Sequence, residues 1–114
     1  MKKKTIVQNS ITIKIFDFAG SFAENKDVAR DLREQKIFPA LESGKEIIFD
    51  YAQIDTTTQS FTHALISESI RIFGSDVIDK MSFKNCNEDV KRIISIVVEY
   101  MQGNMENPIS DGGK

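Results

Sequence analysis

Glu46-Ile47-Ile48-Phe49-Asp50-Tyr51-Ala52 is the stretch on which the fold turns. A strand with one solvated face alternates apolar and polar residues, and this run hardly alternates. Such a segment reads as a strand covered on both faces, which places it inside a sheet and favours parallel neighbours. Asp50 interrupts the run. A carboxylate in that setting requires hydrogen-bonding partners, because an unpaired buried charge is costly.

Upstream, residues 11–16 do alternate, with Ile11, Ile13 and Ile15 on one side and Thr12 and Lys14 on the other, the signature of a half-buried strand. Residues 4–8 read as another short strand, and Asn9-Ser10 between the two supplies turn chemistry, so a hairpin is expected. Phe16, Phe18 and Phe22 are expected to pack into the core at the strand exit. Residues 26–42 read as a helix capped by Asn25 or Ser21. Pro39 predicts a kink or a second short helix, and Ser43-Gly44 predicts the stop.

Downstream, residues 54–60 connect to a helix over 59–73, with Phe61, Ala64, Leu65, Ile72 and Phe73 on its apolar side and Gly74 ending it. Residues 75–79 read as a helical turn and 80–84 as a last strand. Residues 85–89 cap the most regular helix, in which Val90, Ile93, Ile94, Val97, Val98 and Met101 form one stripe. Gly103 ends it, and residues 104–114 read as a disordered tail. The order β-β-α-β-α-β-α predicts an α/β fold: a four-stranded mixed sheet with helices mainly on one face, forming a single domain over 1–103.

With 114 residues, 40% of them hydrophobic, the chain can fill one core. A net charge of −2 offers no broad positive field for nucleic acid or an anionic membrane, and Lys2-Lys3-Lys4 reads as a solvated terminus. No apolar run approaches the roughly 20 residues that span a bilayer, and no signal-peptide core follows the lysines. One cysteine excludes an intrachain disulfide. The expected location is therefore the cytoplasm.

Catalytic constellations are scarce. His63 and Cys86 are each the only residue of their kind and have no ligand-spaced neighbours, so neither a metal nor any other cofactor is expected, nor an enzyme. Asp50 and Asp55 flank a strand end without an evident acid–base partner. The informative segment is Thr56-Thr57-Thr58-Gln59-Ser60. It crowds four hydroxyls between a buried strand and a helix start, at the end of the sheet where sites gather in open α/β folds. A phosphate there meets the positive end of a helix and adds about −1.5 to −2 charges, enough to switch a surface. Read without function, Thr58 caps the helix and its neighbours are polar loop.

The run Ile47-Ile48-Phe49-Asp50, then Ile54, then Thr58-Gln59-Ser60-Phe61 resembles the central segment of STAS domains. Together with Asn85-Cys86-Asn87 before the last helix, it resembles more specifically the small bacterial STAS-like domains of unassigned function, over roughly residues 10–102. In the anti-sigma-factor antagonists of that superfamily, an Asp-Ser-Ser-Gly turn carries a serine phosphorylated by a kinase of the histidine-kinase-like ATPase fold. That serine corresponds to Ser60. The acidic residue of the turn corresponds to Thr58 and the glycine to Phe61, both departures. The resemblance thus implies a non-catalytic regulatory domain that binds a protein, with such an ATPase as the candidate partner and Ser60, Thr58 and Thr57 as phosphorylation or contact residues. Two alternatives stay open: an accessory binding subunit of a larger effector enzyme without a phosphoswitch, and a small-ligand or nucleotide-binding module using Asp50 and Asp55 beside Ser60.

Overall fold

A computed structural model of the chain describes residues 9–102. Three strands, β1 (Ser10–Lys14), β2 (Glu46–Asp50) and β3 (Met81–Lys84), pair in parallel with β2 in the middle. The interior, parallel position read from the apolar run is therefore observed, but not the cover expected on both faces: Ile48 is only half-buried and its strand neighbours Thr12 and Ser82 are exposed. The register explains it. Ile11, Ile47 and Met81 lie side by side, as do Ile13, Phe49 and Phe83, so one face is apolar in all three strands. Thr12, Ile48 and Ser82, then Lys14, Asp50 and Lys84, make up the other face. On that face Thr12, Lys14, Ser82 and Lys84 are exposed, so the described helices cover the sheet on its apolar side.

Among the described residues the sheet is three-stranded and parallel, not the expected four-stranded mixed one. The described strands are all parallel, and four further residues form a separate parallel ribbon, Phe22–Ala23 against Thr56–Thr57. Helical crossovers between β1, β2 and β3 account for the parallel pairing. The antiparallel component was to come from a hairpin with residues 4–8, which lie outside the described residues, as do residues 104–114. The strand expected over 11–16 also ends earlier, at Lys14. Phe16 opens a helical turn, α1 (Phe16–Ala19), instead of extending β1. Phe18 and Phe22 are not in the core; they are 44% and 46% exposed, and Phe16 is half-buried.

The first crossover is α2 (Lys26–Leu32), a π-helical turn over Arg33–Ile37, and α3 (Phe38–Glu42). Asn25 caps α2 by accepting from the Asp27 N–H at 2.8 Å. The widened turn ends at Ile37, two residues before Pro39, which has no N–H to donate and whose ring would crowd the carbonyl four residues back. The Phe38 N–H reaches back five residues, to the Arg33 carbonyl, so the chain stays helical past the proline with its backbone re-aimed. Arg33 then donates to the Ala64 carbonyl at 3.0 Å and ties this crossover to the next.

That next crossover is α4 (Gln59–Phe73). It is the most enclosed helix: Phe61, Thr62, Leu65, Ile66, Ser67, Ser69 and Ile70 are all buried. The expected apolar side was displaced at its end, since Ile72 is 60% exposed while Ile66 and Ile70 point inward. Gly74 stops α4 at φ 94°, a backbone region that favours glycine. A 3₁₀ segment, Ser75–Lys80, leads into β3, and α5 (Glu88–Gln102) closes the described fold. In α5, Val90, Ile94, Val97 and Met101 are buried, with Ile93 and Val98 half-buried beside them, as the stripe predicts.

Candidate functional site

The carboxyl ends of β2 and β3 meet the starts of α4 and α5, and polar side chains tie these four ends together. Asp50, only 8% exposed, accepts through one carboxylate oxygen from the Ala52 N–H at 3.0 Å and the Asn85 side-chain amide at 2.9 Å. The partners its position demanded are thus present, and one of them comes from 35 residues away. Gln53, next to Ala52, and Asn85 itself adopt φ of 70° and 61°, the left-handed region that tight turns use.

These bonds hold the Asp50 carboxyl below the usual carboxylate range. The Asn85 amide is the largest cause and the Ala52 N–H the next; burial opposes them, and Lys84 and Lys14 assist. A depressed folded pKa stabilises the fold fully above the unfolded value near 3.8 and loses that contribution as pH falls through the lower folded value. Urea melts at about pH 7 and pH 2.5 should therefore show a smaller acid loss in Asp50→Asn than in the wild type. An identical acid loss in the two proteins would remove Asp50 from this role.

Asn87 is the second tie. Its amide donates to the carbonyls of Ile54 at 3.2 Å and Asp55 at 2.9 Å, while its carbonyl caps α5 by accepting from the Val90 N–H at 2.8 Å. Thr56 donates its hydroxyl to Asp89 at 2.7 Å. That hydroxyl, with Arg92 second, lowers the pKa of Asp89. Thr57 is buried and donates to the Ala23 carbonyl at 2.7 Å, locking the small ribbon. Thr58 caps α4, its hydroxyl accepting from the Phe61 N–H at 3.0 Å. Asp55 is exposed, and its N–H donates to the Ser21 carbonyl at 2.8 Å.

One hydroxyl of the segment remains. Ser60 lies in the first turn of α4 and is exposed, and its hydroxyl has no hydrogen-bonding partner among the described residues. Phe61 beside it is fully buried, so the large residue at that position is turned into the core and away from the Ser60 surface. Ser60 lines a cavity of about 420 Å³ with Lys26, Gln59, His63 and Ala64. Gln59 and His63 are shared with an adjoining cavity of about 290 Å³, completed by Ile96, Val97 and Tyr100. His63 thus stands between the two, its ring 6.3 Å from that of Tyr100. Its three-residue spacing from Ser60 put both on one helix face, but Lys26 and Tyr100 arrive from other elements and no local pattern announces them.

Asp50 and Asp55 are not among the walls of the Ser60 cavity. Cys86 is half-buried beside Phe83, Asn85 and Lys91, and burial raises its thiol pKa, the opposite of an activated nucleophile. No cluster of three metal-ligating side chains occurs among the described residues. Among them no helix is long and apolar enough to cross a membrane.

With this geometry in place, comparison with known families is specific. Residues 28–91 match the family described as STAS-like domain of unknown function, DUF4325. The match covers more than half of the chain. The protein belongs to this STAS-like family. The matched span of the STAS-like domain runs from α2 to the start of α5 and includes both polar ties and Ser60. No curated protein and no solved structure matches the chain.

Proposed function

We propose that this STAS-like domain is a non-catalytic regulatory module that docks a protein partner through the 56–60 turn and the first turns of α4. One observation carries the reading: three of the four hydroxyls in the turn are committed to the fold, and Ser60 alone is exposed and unbonded among the described residues. The turn is rigid where docking needs a fixed shape and free at the single position that a modifying enzyme could reach. Thr57 and Thr58 support the surface from beneath and within the cap, and Ser60 is its contact and phosphorylation residue. The partner chemistry that fits is an ATPase of the histidine-kinase-like fold, as in the antagonists whose turn this one resembles. The walls of the Ser60 cavity take in neither Asp50 nor Asp55, so the ligand reading loses the acidic pair on which it rested.

Ser60→Asp should weaken partner binding and leave the fold intact. A carboxylate at an exposed helix start is favourable by roughly 0.3–1 kcal/mol, so the thermal midpoint should hold or rise while affinity falls. Ser60→Ala removes the hydroxyl without adding charge and should bind like the wild type. Equal affinities for wild type, Ser60→Ala and Ser60→Asp, measured by titration calorimetry against the captured partner, would take Ser60 out of the docking surface.

A further inference from the structure

We propose that α5 is also the contact face of a two-fold homodimer, in which the occupant of its exposed flank is α5 of a second copy. The flank is an overhang of the core stripe. Val90, Ile94, Val97 and Met101 fill the core, but the neighbouring row Ile93, Ile96 and Tyr100 continues the apolar surface outward. Ile96 is 42% and Tyr100 49% exposed, and both line the cavity that His63 and Gln59 close on the other side.

Charge selects the occupant. Arg92 lies one turn before Ile96 and Glu99 one turn after it, and all three are exposed on neighbouring parts of the helix surface. A second α5 laid antiparallel, crossing at Ile96, sets each Arg92 against Glu99 of the other copy and joins the two Ile96 side chains at the axis. Laid parallel, the same helix would set Arg92 against Arg92 and Glu99 against Glu99. The pattern cation, apolar, anion is complementary to itself only in the antiparallel sense, which is what an isologous two-fold contact requires. Arg92 already pairs with Asp89 of its own helix, yet a guanidinium has five N–H donors and can serve both carboxylates. The ion pairs orient the contact, and burial of Ile96 and Tyr100 supplies most of the attraction.

A 15-residue helix is about 22 Å long, so the contact falls at the small end of specific interfaces. Association is accordingly expected to be weak and reversible. None of this depends on Ser60, and Ser60→Asp should dimerise normally.

Sedimentation equilibrium of the full chain, up to about 1 mM, is the test. The wild type should reach twice the chain mass with rising concentration. Ile96→Glu, Arg92→Glu and Glu99→Arg should each weaken association by at least about tenfold, while the thermal midpoint of the dilute monomer is retained in Ile96→Glu and Glu99→Arg and falls slightly in Arg92→Glu, which loses its pair with Asp89. Arg92→Glu mixed with Glu99→Arg should form a heterodimer, because every opposed pair is then of unlike sign. A wild type that stays monomeric throughout, or a dimer indifferent to Ile96→Glu and to the charge reversals, overturns the proposal.

Discussion

Phe49→Ala should lower the free energy of unfolding by about 3–5 kcal/mol, the largest effect expected of any single truncation in the sheet. Phe49 is completely buried in the central strand and stacks on Phe83 of β3 at a centroid distance of 5.2 Å. Its removal leaves a void between two strands and the helices above them, and close-packed neighbours relax only partly into such a space. Ile48, adjacent in sequence, points to the opposite face and is only half-buried. Ile48→Ala should therefore cost much less than Phe49→Ala. Urea denaturation of the two variants measures the difference. Equal losses would mean that the two faces of β2 are not as unequal as the register makes them.

Ile94→Ala is expected to cost about 2–5 kcal/mol. The domain's whole stability is of the order of 5–15 kcal/mol, so the variant should melt at a clearly lower temperature. Ile94 is 6% exposed and Ile96, two residues on, is 42% exposed. In dilute, monomeric solution Ile96→Ala should lie within about 0.5 kcal/mol of the wild type, as surface substitutions do. A thermal midpoint unmoved by Ile94→Ala would contradict the orientation of α5.

Much of this architecture was legible in the residues because the relevant signals are local and repeated. The unbroken run from Ile47 to Phe49 announced the central strand. The four-three spacing in α5 announced which side it buries, and Thr58 announced its cap, while the choice between Asn25 and Ser21 for α2 falls to Asn25 through the Asp27 N–H. The sheet count was harder. A two-residue pairing such as Phe22–Ala23 with Thr56–Thr57 has no periodicity to read, and its stability comes from the Thr57 hydroxyl and from the Thr58 N–H, which both reach Ala23. Phe18 and Phe22 read as core because aromatic residues usually are, yet the helical turn at Phe16 carries them to the surface. Lys36 Nζ lies 5.5 Å from the centre of the exposed Phe18 ring.

The candidate site was legible as a cluster of hydroxyls and illegible in its supports. Four hydroxyls at a strand-to-helix junction marked the place, but the sequence could not say which of them were free. That depends on partners far along the chain: Asp89 for Thr56, Ala23 for Thr57, and Asn87 holding the carbonyls of Ile54 and Asp55. Asp50 showed the same limit. Its need for partners followed from burial alone, while the identity of Asn85 as one of them required the parallel register of β2 and β3.

The central claim, that Ser60 governs docking at the 56–60 turn, is tested most directly by affinity capture of the chain from its native cell. Phosphosite mapping is then applied separately to the partner-bound and the free pools. The account predicts phosphate on Ser60, depleted in the bound pool and enriched in the free one, with the three threonines of the turn unmodified in both. Phosphate on Thr57, or Ser60 in the same state in bound and free pools, would contradict it.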